Sequence, residues 1–318
     1  MEKSKIVWLV GAGEMASDYF RVLKSFDVKI IIIGRGDLSA SRFFETHGIK
    51  PNVGGIDTFL ATRPAFPDAV IVAVGVEALA KTTKSIIQYG VRRILLEKPG
   101  ALYYQDICEL SVLAKKASAD VFIAYNRRMY ASTLHAQRLI AEDGGVISIN
   151  FEFTEWSHVI SPLHKAPGVK ESWLLGNSTH VIDLAFYLGG KPVEMHSLIS
   201  GSLDWHPTSA VFAGAGRTDS GVLFSYNANW MSPGRWGVEI LTANYRLILR
   251  PLEQLQIVRK GSVVVESVEI DDHLDKVFKP GLYEQTFRFL SEAVDGLCTL
   301  DSHMEHWSYY ARIANYEI

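Results

Sequence analysis

The sequence predicts two domains, a doubly wound α/β domain over residues 1–125 and an α+β domain over residues 126–318. In the first part, short apolar runs rich in β-branched residues alternate with amphipathic helical stretches, which is typical of a parallel sheet covered on both faces. In the second part, successive strand-like runs with short connections favour an open sheet that is mostly antiparallel or mixed. A chain of 318 residues, 48% of them hydrophobic, is also longer than one ordinary core requires.

The first domain contains five strand-like runs, at Ile6–Val10, Val28–Ile33, Ala69–Val74, Ile94–Leu96 and Val121–Ala124. Helical patterns separate them at Glu14–Ser25, Ser39–Thr46, Glu77–Tyr89 and Gln105–Ala117. A doubly wound sheet binds its ligands at the carboxyl ends of its strands. Residues that directly follow these runs are therefore the first candidates for a site.

The second domain begins with a helical stretch at Tyr130–Glu142, an alternating run at Val146–Phe153 and a helix near Asn177–Leu188. Further strand-like runs follow at Gly221–Tyr226, Gly237–Thr242, Tyr245–Leu249, Leu255–Arg259 and Val263–Val265. Closing helices are predicted near Leu282–Val294 and His303–Asn315, and packing of the C-terminal helix back on the first domain is left open. No internal repeat and no low-complexity linker divides the chain.

Composition excludes several classes of partner. With 21% charged residues and a net charge of −3, the chain has no overall field that would attract nucleic acid or an anionic membrane. No apolar run approaches the ~20 residues of a spanning helix. Cys108 and Cys298 lie far apart and have no metal-ligand spacing, so we expect no metal and a reducing, cytoplasmic location.

The sharpest local signal is a glycine-rich turn after the first strand, where Gly11, Gly13 and Ala16 form a G-x-G-x-x-A pattern that leads into a helix. Gly11 permits the tight turn, Gly13 lets the backbone approach a pyrophosphate, and Ala16 allows close packing of helix on strand. The helix N-terminus offers amide donors to phosphates. In this strand–turn–helix context, the pattern predicts a dinucleotide site.

The residues after the second strand bear on the choice of cofactor. Gly34-Arg35-Gly36-Asp37 has no acid at the first position, where an NAD site would place the carboxylate that binds the ribose hydroxyls. Arg35 can pair with a 2′-phosphate through its planar guanidinium. We therefore expect NADP, with NAD as the alternative if Arg35 stacks on adenine or faces solvent and Asp37 binds the ribose. The missing acid also disfavours an S-adenosylmethionine methyltransferase.

Three segments carry a resemblance to a known family. The fourth predicted strand is followed by Glu97-Lys98-Pro99, the fifth by Asn126-Arg127-Arg128, and a helix carries His180 and Asp183 within Gly176–Leu184. In this order along the chain, the motifs resemble the glucose-fructose oxidoreductase / inositol dehydrogenase (Gfo/Idh/MocA) family. The resemblance extends over essentially the whole chain and implies an NAD(P)-dependent dehydrogenase or reductase that acts on CH–OH groups.

The resemblance implies that Lys98 lies beside the nicotinamide and the reacting carbinol, where an ammonium can stabilise negative charge on the reacting oxygen. Glu97 is expected to position the turn or the lysine. Pro99 is expected to stiffen the turn, with a cis peptide bond as one way of doing so. The full set of expected cofactor contacts is Gly11, Gly13, Glu14, Met15, Gly34, Arg35, Val74, Glu97, Lys98 and Asn126.

His180 is the expected general acid/base. On a helix, it shares one stripe with Asp183 and Tyr187, while a separate apolar stripe faces the core. We expect Asp183 to set the imidazole tautomer, so the predicted catalytic residues are Lys98, His180 and Asp183. The sugar dehydrogenases of the family commonly carry Asp four residues before the histidine, and this chain has Gly176 there. Asn177 or the loop around Trp156–His158 and His164–Lys165 are candidates to supply the missing polar group.

The second domain is expected to bind the substrate. Six of the seven tryptophans lie there, and indole rings suit sugar faces, protein cores and subunit interfaces alike. The predicted substrate contacts are Arg127, Trp156, Trp173, Asn177 and His180. The family's open sheet commonly mediates association, so we expect a homodimer or homotetramer formed through the C-terminal sheet.

The leading hypothesis is an NAD(P)-dependent oxidoreductase that transfers a hydride between nicotinamide and a hydroxyl or keto carbon of a sugar, sugar derivative or related polyol. One alternative is a redox-neutral, NAD-dependent glycosidase-like enzyme on the same scaffold. Another is a non-catalytic NADP-binding regulator, which the glycine at position 176 keeps open. All three require a dinucleotide, and the two enzymes also require a small-molecule substrate.

Overall fold

A computed structural model describes residues 4–291 and 293–316 of the chain. It divides into two compact units. Unit 1 consists of Met1–Tyr125 and Leu282–Glu305, and unit 2 consists of Asn126–Gly281 and His306–Ile318. The chain therefore passes from unit 1 to unit 2 after Tyr125, and a later segment that begins at Leu282 belongs to unit 1 again.

Unit 1 is built on a sheet of six strands, β1 (Lys5–Val10), β2 (Val28–Ile33), β3 (Ala69–Val72), β4 (Arg93–Leu96), β5 (Asp120–Ile123) and β14 (Cys298–Thr299). Their order in the sheet is β14-β5-β4-β3-β1-β2. The helices are α1 (Glu14–Leu23), α2 (Asp37–His47), α3 (Gly55–Ala61), α4 (Leu79–Tyr89), α5 (Tyr104–Ala117) and α10 (Leu282–Leu290). β1 to β5 pair in parallel, and β14 is antiparallel to β5.

The parallel sheet forms because its strands are apolar on both faces. Val7, Trp8 and Leu9 in β1 have no exposed surface, and all four residues of β3 are buried. Such strands can be stable only between two layers of helices. This confirms the predicted doubly wound fold. α3 and β14 were not predicted, because a seven-residue helix that starts on glycine and a two-residue strand carry little periodic signal.

Unit 2 is built on a sheet of eight strands, β6 (Ser148–Glu152), β7 (Pro192–Ser200), β8 (Val211–Thr218), β9 (Leu223–Asn229), β10 (Gly237–Leu241), β11 (Tyr245–Leu249), β12 (Gln256–Arg259) and β13 (Glu266–Ser267). Their order in the sheet is β13-β12-β11-β10-β6-β9-β8-β7. The helices are α6 (Ala131–Glu142), α7 (Ser157–Ile160), α8 (Thr179–Gly189) and α9 (His273–Val277), and α11 (Leu300–Ala314) runs from unit 1 into unit 2. β6 and β9 pair in parallel and the other neighbours pair antiparallel, so the predicted mostly antiparallel, mixed sheet is confirmed.

Two sequence predictions in this part of the chain were wrong in detail. Val263–Val265 is an exposed connection, with Val263 93% exposed, and the strand that follows is only Glu266–Ser267. Three consecutive valines favour a strand locally, but here they have no partner strand among the described residues. The helix predicted for Leu282–Val294 ends at Leu290, and Glu292 lies outside the described residues.

Tryptophan and phenylalanine side chains form the core of unit 2. Trp205 and Trp230 stack with ring centroids 5.6 Å apart, and Trp173 meets Trp205 edge-on at 6.1 Å. Buried His206 lies 4.7 Å from the ring of Trp230 and hydrogen-bonds to Tyr316. Offset and edge-on aromatic contacts of this kind add to the burial of apolar area. Much of the tryptophan content of this unit therefore lies in its core.

Within 4–291 and 293–316, no helix has both the length and the apolar character needed to cross a membrane. In the same residues, no group of three or more His, Cys, Asp or Glu side chains is arranged to hold a metal ion.

Candidate active site

The turn after β1 has the geometry of a dinucleotide cradle. Gly11 has φ +135°, and a Cβ there would overlap the carbonyl oxygen of Ala73 at the exit of β3. Gly13 is exposed with φ −92°, and a Cβ there would meet no protein atom within 4 Å. Ala16 is fully buried against the turn. Gly11 is therefore required by the fold itself, whereas the space at Gly13 is open to a ligand.

The N-terminus of α1 is suited to bind phosphate. No side chain caps the helix at Gly13, so its first turn offers backbone amides to an anion. Glu14 at the start of the helix is exposed, and Met15 is half-buried. These features fit a pyrophosphate at the turn, which is where the sequence predicts it.

The exit of β2 presents an arginine. Gly34 is buried, and a Cβ there would press on the Cβ of Ala12 at 3.2 Å, so the close packing of two turns explains the glycine. Arg35 is exposed and forms no ion pair with any described residue. Asp37 is also exposed and begins α2. The guanidinium is free to meet a ligand phosphate, and the carboxylate that would compete for the ribose lies two residues further on.

The turn that carries Lys98 is fixed by its neighbours in unit 1. Glu97 accepts a 2.7 Å hydrogen bond from the hydroxyl of Tyr19. Burial, and next the charge of Glu97, raise the pKa of Tyr19 well above its ordinary value, so the phenol remains a donor. The carbonyl of Pro99 accepts a 2.8 Å hydrogen bond from Nε2 of His303, and the Lys98–Pro99 peptide bond is cis. Lys98 itself is half-buried.

These turns lie along one edge of the unit 1 sheet because the strands are parallel. Backbone hydrogen bonds continue past the strand ends, from Gly11 to Ile33, from Ala73 to Val10 and from Glu97 to Val72. Val74, the expected contact after β3, is half-buried at the same edge. Unit 1 thus brings together the glycine turn, Arg35, Val74 and the Lys98 turn.

In unit 2, Arg127 faces the predicted histidine. Its Nη1 donates to Nε2 of His180 at 2.9 Å and to Oδ1 of Asn126 at 2.8 Å. Because arginine has no acceptor, Nε2 of His180 accepts this bond and carries no proton. The amide of Asn126 donates in turn to the carbonyl of Pro280. Three of the predicted site residues are therefore joined in one hydrogen-bonded chain.

The contacts of Asp183 differ from the predicted role of setting the tautomer of His180. Both of its carboxylate oxygens accept hydrogen bonds from Arg128, at 2.6 and 2.7 Å, and the two side chains are 1% and 7% exposed. The guanidinium also lies 4.6 Å from the ring centre of Tyr187. The partner seen at the imidazole of His180 is Arg127, so Asp183 is a poor candidate for setting its tautomer. Its carboxylate instead ties α8 to the turn at Asn126–Met129.

The polar stripe of α8 is buried as well as the apolar one. His180 is 4% exposed, Asp183 is buried, and Val181 and Leu184 on the other stripe have no exposed surface. The predicted stripe of His180, Asp183 and Tyr187 exists, but it packs on Arg127 and Arg128 of the same unit. Periodicity identified the residues that share a face without identifying what covers that face.

A buried carboxylate that was not predicted, Glu155, contacts the two residues that follow Gly176. Glu155, only 2% exposed, accepts hydrogen bonds from the amide of Asn177 at 2.9 and 3.1 Å and from the hydroxyl of Ser178 at 2.8 Å. Gly176 is half-buried in a π-helical turn over Leu174–Ser178. A carboxylate thus reaches the segment before His180 from the end of β6. A charged residue after the alternating run at Val146–Phe153 was the available signal.

A cavity of about 800 Å³ adjoins this carboxylate in unit 2. Trp156, 46% exposed, lies on its wall and donates its indole N–H to the carbonyl of Gly234. The guanidinium of Arg235 stacks on this ring at 4.7 Å. Trp173, the other predicted tryptophan, instead contacts Trp205 in the aromatic core. Trp156 is therefore the better-placed candidate for a ligand contact.

Comparison with known proteins supports the nucleotide-binding assignment. Residues 5–125 match the model of the Gfo/Idh/MocA oxidoreductase family, described as an NAD-binding Rossmann fold. A search of curated proteins finds no match. The match covers the nucleotide-binding part of the chain and agrees with the predicted resemblance to this family of oxidoreductases.

Solved structures resemble the whole chain. An inositol dehydrogenase homologue from Azotobacter vinelandii, in complex with NADH and myo-inositol, has a TM-score of 0.78 and 15% identity, over 99% of this chain and 96% of that one. A levoglucosan dehydrogenase in complex with NADH and L-sorbose has a TM-score of 0.78 and 16% identity, over 98% and 96%. The UDP-N-acetylglucosamine 3-dehydrogenase of Acidithiobacillus ferrooxidans has a TM-score of 0.75 and 14% identity, over 98% and 97%. At these identities, the likeness concerns the fold.

The two glycines of the cradle give a matched pair of variants. We expect Gly11→Ala to lower the melting temperature, because its backbone conformation is unfavourable for alanine and its Cβ would overlap Ala73. Gly13→Ala should leave the melting temperature near that of the wild type but weaken dinucleotide binding. Thermal unfolding and calorimetric titration with NADPH check both variants. Equal loss of stability in the two would contradict the division of roles.

The buried ion pair allows a second test. Asp183→Asn removes a carboxylate charge that pairs with the buried Arg128, which we expect to lower the free energy of unfolding by about 3–5 kcal/mol. Glu194→Gln removes the partner of Arg217 from an exposed pair of the same unit and should change it little. Urea unfolding of both variants is the measurement. Similar effects would show that Asp183 has no special structural role.

Proposed function

We propose, from the membership of residues 5–125 in the Gfo/Idh/MocA oxidoreductases, that the protein is an NADP-dependent dehydrogenase or reductase of a sugar, sugar derivative or related polyol. The observation that carries the proposal is that the turn with Lys98 and the glycine cradle follow parallel strands of one sheet and so share its carboxyl edge. When bound, the nicotinamide supplies or accepts the hydride. The protein must bind the substrate, orient it and manage the proton on the reacting oxygen.

Lys98 is proposed to hydrogen-bond to the reacting oxygen. An ammonium there stabilises the negative charge that builds up when a ketone is reduced or a hydroxyl is deprotonated. Support comes from the rigid environment of the turn, where Tyr19 holds Glu97 and His303 holds the carbonyl of Pro99. A fixed donor needs little reorganisation during the reaction.

His180 is proposed to exchange the proton with the substrate hydroxyl. Its Nε2 carries no proton while it accepts from Arg127, so the neutral imidazole can act as a base once a substrate hydroxyl replaces the guanidinium. Glu155 is proposed to orient Asn177, which leaves the amide oxygen of Asn177 to accept from a substrate hydroxyl. This arrangement would take the place of the acid absent at position 176.

NADP is proposed as the preferred cofactor. The support is chemical: Arg35 is exposed without an ion-pair partner among the described residues, and no acid occupies the first position after β2. A planar guanidinium binds a phosphate monoester through two parallel hydrogen bonds. NADH would leave this arginine without an anionic ligand.

Replacement of Arg35 tests the cofactor preference. Arg35→Ala should lower the ratio of NADPH to NADH affinity by about tenfold or more, because a charge-assisted hydrogen bond to the 2′-phosphate is lost. Arg21→Ala, which removes an exposed arginine near the other end of α1, should leave the ratio unchanged. Titration of each variant with both dinucleotides is the measurement. An unchanged ratio in Arg35→Ala would refute a 2′-phosphate site at this residue.

The activity is tested by offering the protein a panel of sugars, polyols and sugar nucleotides and by measuring the change in NADPH absorbance with each one. With the best substrate, Lys98→Met should lower kcat by roughly 100- to 1000-fold, the loss typical of one donor to a developing oxyanion. NADPH affinity should change little. Lys81→Met, a change at an exposed lysine of α4, is the control. Full turnover by Lys98→Met would contradict its role, and silence of the whole panel in the wild type would contradict the proposed activity.

A further inference from the structure

Two arginines of unit 2 share one indole ring. The guanidinium carbon of Arg235 lies 4.8 Å from the ring centre of Trp236, and that of Arg127 lies 5.4 Å from the same centre. Trp236 is 5% exposed and therefore offers a rigid support. Cation–π stacking orients a guanidinium by its face and leaves the N–H groups at its edge for other ligands.

Neither arginine has a carboxylate partner among the described residues, which sets both apart from other arginines of the unit. Arg128, Arg217, Arg246, Arg250 and Arg259 each pair with an aspartate or glutamate. Arg127 donates only to neutral groups, the amide of Asn126 and the imidazole of His180. Its Nε is buried and has no acceptor. A buried guanidinium donor without an acceptor is costly unless a ligand satisfies it.

The carboxylate of Glu155, which also lines the cavity, accepts hydrogen bonds from Asn177 and Ser178. Arg235 itself is exposed and is held between the rings of Trp156 and Trp236. Trp156 lines the 800 Å³ cavity, a space large enough for a sugar, and Arg235 stacks on this ring next to Gly234, which also lines the cavity. Arg127 is linked to Arg235 through the shared ring of Trp236, so two positive charges without a carboxylate partner among the described residues lie around one indole.

We propose that Arg127 and Arg235, supported by Trp236, bind an anionic substituent of the substrate, either a carboxylate or a phosphate ester. The inference rests on the proposed function, because it names the substrate class of that reaction as acidic sugars or polyols rather than neutral ones. Guanidinium groups recognise both anions through paired hydrogen bonds. An anion bound at Arg127 would also compete with His180 for the N–H groups of that arginine and so free Nε2 of the imidazole.

Calorimetry on the NADP-loaded protein tests the subsite. The probes are glucose, glucuronate and glucose 6-phosphate, together with inorganic phosphate and acetate at constant ionic strength in chloride. We expect at least one anionic sugar to bind about tenfold or more tightly than glucose, the effect of a charge-assisted hydrogen bond. Preference for phosphate over acetate would identify a phosphate ester, and the reverse would identify a sugar acid.

Variants test whether the preference for the anion depends on Arg127 and Arg235. Arg235→Gln and Arg127→Gln should each remove most of the preference for the anion, whereas Arg217→Gln, at an exposed ion pair, should preserve it. Arg235→Lys keeps the charge but loses the planar guanidinium. Its preference for the anion should therefore lie between that of the wild type and that of Arg235→Gln. Equal binding of charged and neutral sugars, no saturable binding of any anion, or an unchanged preference in Arg235→Gln would each overturn the proposal. NADP binding is measured on the same samples, so a failure of the proposed cofactor site is distinguished from a failure of the anion subsite.

Discussion

The buried ion pair between Arg128 and Asp183 is the interaction on which the candidate substrate face of unit 2 depends. It joins two segments 55 residues apart in the chain, the turn after β5 and the helix α8. Because Arg127 precedes Arg128 and His180 lies almost one helical turn before Asp183, the pair also brings Arg127 to the imidazole. Two adjacent arginines therefore have different tasks: one is neutralised and structural, and its neighbour retains an uncompensated charge.

Local features of the sequence predicted the fold of unit 1 and a common edge for its candidate nucleotide-binding residues. The glycine turn, the strand-and-helix alternation and the Glu97-Lys98-Pro99 segment each lie within a few residues, and the parallel topology then requires them to meet at one edge. The contacts that hold Lys98 in place could not be predicted in this way. Tyr19 and His303 reach this turn from 78 residues before Glu97 and 204 residues after Pro99, and nothing in their local sequence indicates such partners.

In unit 2, the sequence predicted which residues share a helix face but not which residues contact them. Periodicity identified the stripe with His180 and Asp183, but the partner of Asp183 depends on tertiary packing. Glu155 and Arg235 were not among the predicted site residues, because a single acid after a strand or an arginine after Pro233-Gly234 is normally a solvated side chain. Only the burial of Glu155 and the stacking of Arg235 on two indole rings distinguish them from surface charges.

Of the three roles that the sequence left open for the tryptophans of unit 2, the protein core accounts for most of them. A sugar site and a subunit interface both require exposed rings, yet Trp205, Trp230, Trp236 and Trp307 are all at most 9% exposed. Trp205 and Trp230 build the core, and Trp236 supports two guanidinium groups. Only Trp156, about half exposed, combines an accessible face with a cavity. In the proposed anion subsite, the indole rings hold charged groups rigidly, because a guanidinium stacked on a buried ring loses less freedom on binding an anion than one on a mobile side chain.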